Sequence, residues 1–175
     1  MEDKISNRPL YTYASSLHLT FKAWPVIAAA TIGLCYLTQT VAGWMGITLP
    51  DQANIEIVRR YAGWNRTFLF LCAQILVLLP ALEELIFRYL LFRLPSKLIP
   101  HPSSLIPAAA ISSLLFSAAH YIAQPWPDAA FIALFFFGLA QCWLYRKTQR
   151  LWCVILNHGL FNLTNLVLLF LLPET

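Results

Sequence analysis

The chain has 175 residues, 59% of them hydrophobic and only 11% charged, against about 45–50% apolar and about 25% charged in a soluble domain. The length predicts one domain, and the gathering of apolar residues into long runs excludes an ordinary soluble one in favour of an all-α, polytopic membrane bundle. The net charge of +4 does not point to nucleic acid, because the Lys and Arg residues sit between apolar runs, where membrane topology accounts for them.

In chain order, residues 1–20 read as a polar N-terminal arm ahead of a single membrane domain over 21–173. The apolar run after the arm is too long for a signal-peptide core and shows no convincing cleavage site, so the first helix is expected to stay. That span covers 21–46, with Trp24 and Trp44 as interface anchors. Ile55, Ile57, Val58 and Tyr61 alternate with Asp51, Glu56, Arg59 and Arg60 in the next segment, which fits a short amphipathic helix at the membrane surface. A second span is expected over 67–93, kinked by Pro80 just before Glu83. The third, over 103–122, is rich in the Ala and Ser that let helices approach closely in a bilayer. The fourth covers 129–145, a basic turn follows at 146–150, and the fifth covers 151–172, making about five spans. Cys35, Cys72, Cys142 and Cys153 fit no zinc or redox spacing and read as small buried hydrophobes. With the N-terminus in the cytoplasm, the inner segments hold Lys4, Arg8, Lys22, Arg93, Lys97, Arg146, Lys147 and Arg150, against Arg59, Arg60 and Arg66 outside; this bias sets the expected orientation.

The second span carries the informative exception. Between 67 and 92 the strongly polar side chains are Gln74, Glu83, Glu84 and Arg88, and an ionisable group at a bilayer centre costs about 2.5–3.5 kcal/mol on insertion scales. Glu84 and Arg88 are four apart, share a helix face and can pair. Glu83 points about 100° away and has no partner in its own helix. It must meet a group from elsewhere, take up a proton, or face water. The third span brings His120, and the fifth brings His158 and Asn162, four apart on one face after Asn157. Side chains from three spans can converge on one pocket. Taken singly each has a plainer role: His120 as a hydrogen-bonded residue near a helix end, Asn162 as a tie between helices, Glu84 with Arg88 as a structural pair. His18 and His101 read as exposed histidines, and Gln74, Gln124 and Gln141 as structural.

The chemistry narrows by elimination. There is no His-Glu-x-x-His helix for zinc, no Gly-x-Ser-x-Gly elbow, and no second aspartate for a dyad, since Asp128 falls in a turn. A carboxylate acting as general base on water remains, with a histidine to share the proton and a His–Asn face to donate to an oxyanion. That set would hydrolyse an amide with no metal and no cofactor.

Three motifs in order carry a resemblance: Glu-Glu-x-x-x-Arg at Glu83, Glu84 and Arg88; Phe-x-x-x-His at Phe116 and His120; and His-x-x-x-Asn at His158 and Asn162. With the flanks from Pro80 and from Gly138 to Trp152, they resemble the CPBP family of CAAX-protease and bacteriocin-processing (Abi) membrane proteins, which includes the type II CAAX prenyl endopeptidases. The similar stretch runs over about residues 70–168, in a family-like core of about 67–172. The resemblance implies a glutamic intramembrane protease, in which Glu83 activates water with help from His120, His158 and Asn162 form the oxyanion hole, and Glu84 and Arg88 orient or support the site. It implies a membrane-anchored or apolar protein substrate in the bilayer and leaves room for a membrane partner that presents it; the compact form points to a bacterial inner membrane. A non-catalytic scaffold or immunity factor with the same fold is the alternative. A transporter would call for inverted repeats, which the sequence lacks. Straight helices would leave His120 about 10 Å from the depth of Glu83 and His158, a mismatch that a kink at Pro80, a displaced third helix or tilt would have to remove.

Overall fold

A computed structural model describes residues 12–49, 53–63, 65–98, 105–122 and 129–171, and among these the chain is helical with no strand. The helices are α1 (Tyr13–Trp44), α2 (Ala53–Arg60), α3 (Arg66–Ser96), α4 (Leu105–Ala119), α5 (Ala130–Thr148) and α6 (Leu151–Leu171). Lys4, Arg8, Asp51, His101, Gln124 and Asp128 lie outside the described residues, as do the side chains of Glu56 and Lys97. The five apolar runs all form helices. Three of them, α1, α3 and α6, are long and apolar enough to cross a membrane.

α1 starts at Tyr13, not at 21. Thr12 caps it, its hydroxyl accepting from the Ser15 N–H. Of the stretch that read as an arm, residues 13–20 are helical, and two of its polar side chains turn inward. Ser16 and Thr20 are fully buried, the Thr20 hydroxyl donates to the Ser16 carbonyl, and Asn157 of α6 donates to the Thr20 carbonyl at 3.3 Å. A hydroxyl bonded to its own helix backbone does not need water, so Thr20 can be buried. Arg150 sits 3.6 Å over the ring of Tyr13, which stacks on Trp152. Trp24 is correspondingly drawn inward: its indole N–H donates to Thr164 of α6 at 3.1 Å. Trp44 keeps the exposed end of the helix.

α5 is the hub, packed against α1, α3, α4 and α6. Gln141 donates to Asn157 at 3.1 Å, which ties α5 to α6 and, through Thr20, to α1. α4 lies along α5 at close range, because a Cβ on Gly138 would strike Ser113. Its serines face their neighbours, Ser112 donating to the Phe87 carbonyl and Ser117 to the Phe131 carbonyl, each at 2.6 Å. α4 has 15 residues, about 22 Å of helix at about 1.5 Å per residue, and stops short of a hydrocarbon core about 30 Å thick. It ends at Ala119, and His120 just beyond packs edge-on against the ring of Phe116 at 4.7 Å.

α3 is not uniformly wound. Residues Gln74–Leu78 and Leu85–Arg93 adopt the wider π winding, with α-helical Leu79–Glu84 between them. Such bulges recur at functional sites, and here they bracket Pro80, Glu83 and Glu84. α6 docks on the first bulge: a Cβ on Gly159 would collide with the Leu76 carbonyl oxygen. Gly159→Ala should therefore force α3 and α6 apart and cost about 1–3 kcal/mol, read as a lower thermal midpoint of the detergent-solubilised protein.

Candidate active site

The site forms where α3 faces α6. Glu84 and Arg88 are fully buried, with Arg88 Nε 3.1 Å from Glu84 Oε2. His158 of α6 reaches between the two acids. Its Nδ1 lies 2.9 Å from Glu84 Oε1 and its Nε2 lies 3.6 Å from Glu83 Oε2. One continuous chain of polar atoms thus runs Arg88, Glu84, His158, Glu83. Glu84 is an acceptor held beside a guanidinium, so the bond to His158 places a proton on Nδ1. Two carboxylates and one guanidinium leave one negative charge over.

Aromatic rings wall the cluster. Phe116 of α4 is fully buried, and the Arg88 guanidinium sits 4.5 Å over its ring. That cation–π contact offsets part of the cost of burying a charge whose Nε, Nη1 and Nη2 make no hydrogen bond among the described residues, the Glu84 contact being an ion pair only. Phe116 lies edge-on to His158 at 5.8 Å and to His120 at 4.7 Å. Phe137 of α5 packs on His158 at 5.0 Å and on Phe161 at 4.5 Å. His120 bonds the Phe116 carbonyl through Nδ1 at 2.9 Å. A carbonyl only accepts, so Nδ1 carries the proton and Nε2 keeps its lone pair.

A family model described as type II CAAX prenyl endopeptidase Rce1-like matches residues 65–164. The chain belongs to this family. No curated protein and no solved structure matches it. In this Rce1-like chain the matched stretch begins at Asn65, the residue that caps α3, and ends at Thr164 in α6. It contains all six residues singled out from the sequence and leaves out α1 and α2. Membership gives the chain the fold of the CAAX-type intramembrane endopeptidases.

Of those six residues of the Rce1-like core, the fold joins Glu83, Glu84, Arg88 and His158 directly. His120 reaches the cluster through the Phe116 ring, and the imidazole beside Glu83 is that of His158. Asn162 lies one turn beyond His158, with its amide donating to the Ile75 carbonyl at 2.8 Å. Sequence reasoning missed Phe137, which packs on His158, and Phe161 behind it. Phe135, Phe136 and Phe137 are consecutive, and only the neighbouring Gly138, which brings α5 onto α4, marks the inward-facing one.

Proposed function

We propose that the chain is a glutamic intramembrane endopeptidase, in which Glu83 activates water against a peptide carbonyl of a membrane-anchored protein. The observation that carries this reading is the contrast between adjacent acids. Glu84 is fully buried and committed to Arg88 and His158, whereas the Glu83 side chain keeps 27% exposure and meets only His158 Nε2 among the described charged groups. A general base must be held yet retain a free face for the water it deprotonates. As the water oxygen bonds to the carbonyl carbon, its proton passes to Glu83. The proton that Glu83 takes up can be shared with His158 Nε2, 3.6 Å away, and the imidazole so protonated is the donor at hand for the oxyanion. Collapse breaks the C–N bond, and the Glu83–His158 pair returns the proton to the leaving amine. Among the described residues no three His, Cys, Asp or Glu side chains converge as metal ligands, and the mechanism assigns none.

Glu83 lies on α3 between exposed Leu82 and Ile86, with Leu78 and Leu85 exposed nearby. This apolar border would admit a substrate from the lipid side. Arg150 meets the start of α1, Arg93 packs over Tyr145 near the end of α5, and Arg146 and Lys147 fill its last turn. These basic groups mark the end of the bundle that we read as cytoplasmic, which puts the N-terminus inside.

The test is cleavage of a panel of membrane-anchored peptides by the purified protein in lipid, with and without a metal chelator. Wild type should cleave in both conditions, and His158→Ala should lose roughly a hundred- to ten-thousand-fold in rate. Chelator-sensitive cleavage would replace the mechanism with a metal-dependent one. No cleavage of a broad panel, together with full action of Glu83→Gln in cells, would leave the scaffold reading.

A further inference from the structure

α3 carries a gap in its backbone ladder at a defined place. In the π winding before Pro80, the Leu79 N–H bonds to the Gln74 carbonyl. The next rung of that winding would run from residue 80 to the carbonyl of Ile75. Proline has no N–H to give, so the Ile75 carbonyl loses its backbone donor. Inside a bilayer a carbonyl without a donor is costly, because no water replaces the missing bond. Asn162 fills the gap, its side-chain Nδ2 lying 2.8 Å from Ile75 O. Close packing makes this reach possible: Gly159, one turn earlier on α6, lets α6 settle on the Leu76 carbonyl next door.

We infer that Asn162 is a positioning residue whose amide stands in for the N–H that Pro80 lacks, fixing the π turn of α3 so that Glu83 and Glu84 meet His158. The inference rests on the proposed role of Glu83 and His158 and goes beyond it, because it assigns Asn162 to the enzyme's own backbone rather than to the oxyanion. The residue type follows. Aspartate has no N–H and would set a second acceptor against the carbonyl, and Gln would overreach by a methylene.

The experiment is a double-mutant cycle between Asn162 and Pro80, read by thermal midpoint in detergent and by peptide cleavage. Asn162→Ala should lower the midpoint by about 3–8 °C, the range for leaving one buried acceptor unmet in a chain of this size. It should also lower cleavage at little change in KM. Asn162→Asp should do at least as much. In a Pro80→Ala background the new N–H of residue 80 can close the rung to Ile75, so Asn162→Ala should then cost little in either readout. Hydrogen exchange should show that N–H protected.

Three outcomes would overturn the inference. The first is Asn162→Ala with an unchanged midpoint. The second is a double variant that regains its midpoint but not cleavage, which would mark Asn162 as an oxyanion donor. The third is a Pro80→Ala chain that does not fold, since supplying the missing donor should relieve α3. A wild type that cleaves nothing would count against the protease reading alone, and the midpoints would still judge the pairing of Asn162 with Pro80.

Discussion

Glu83→Gln should abolish peptide cleavage while leaving the protein as stable as wild type or slightly more so. The two halves of this result follow from different parts of the site. Gln keeps the shape of the side chain and its place 3.6 Å from His158 Nε2, but it cannot take a proton from water. Losing a general base costs roughly a hundred- to ten-thousand-fold, and the loss should fall on kcat with KM nearly constant, because shape and border residues are untouched. Stability should hold because Glu83 is the acid the fold needs least. Glu84 already answers Arg88 and His158, and a second carboxylate beside it adds like-charge repulsion. A residue whose removal spares the fold and ends the chemistry is one kept for function. The measurement pairs initial rates on a membrane-anchored peptide with thermal unfolding of the same preparation. Retained cleavage in Glu83→Gln would remove Glu83 from the reaction, and a large fall in midpoint would make it a structural acid.

The sequence made some of this legible because the relevant spacings are local. Glu84 and Arg88, and His158 and Asn162, are four apart, and a helix needs nothing else to put each pair on one face. The cost of leaving Glu83 alone in lipid called for a partner elsewhere, a proton or water, and the structure sets His158 Nε2 3.6 Å from it. What stayed hidden depends on contacts between distant segments. Ser16 and Thr20 read as part of a polar arm because their hydroxyls are polar, but in α1 both are buried, with Asn157 of α6 bonded to the Thr20 carbonyl. Pro80 marked α3 as irregular, but not that π turns would lie on either side of it. What meets the Ile75 carbonyl is Asn162, 87 residues away in the chain. The pairing of His158 rather than His120 with Glu83 had no local signal either. It depends on α4 ending at Ala119 and on the place of Phe116 between the two imidazoles.

The second large effect is expected at Glu84 and Arg88, and it separates holding the fold from tuning the site. Both side chains are fully buried, and each is the other's partner across 3.1 Å. Removing one leaves the other as an uncompensated charge in a low-dielectric interior, which costs about 3–5 kcal/mol. Glu84→Leu or Arg88→Met alone should therefore unfold readily or fail to accumulate. Replacing both at once should recover much of that loss, since a buried ion pair exchanged for apolar groups of similar volume is often neutral or stabilising. Phe87 and Phe116, which flank the Arg88 guanidinium, would pack a methionine readily. Cleavage should not return with the fold. His158 would still lack the Glu84 acceptor that places its Nδ1 proton and turns Nε2 toward Glu83. Loss of the carboxylate that orients a catalytic imidazole can cost as much as ten-thousand-fold in rate. The double variant should therefore be folded and slow, with a coupling of several kcal/mol between the two positions in stability. A double variant that cleaves at the wild-type rate would reduce Glu84 to a counter-ion for Arg88. One that stays unfolded would show that this pair specifies how α3 meets α6, and that apolar volume at these two positions does not replace its charge.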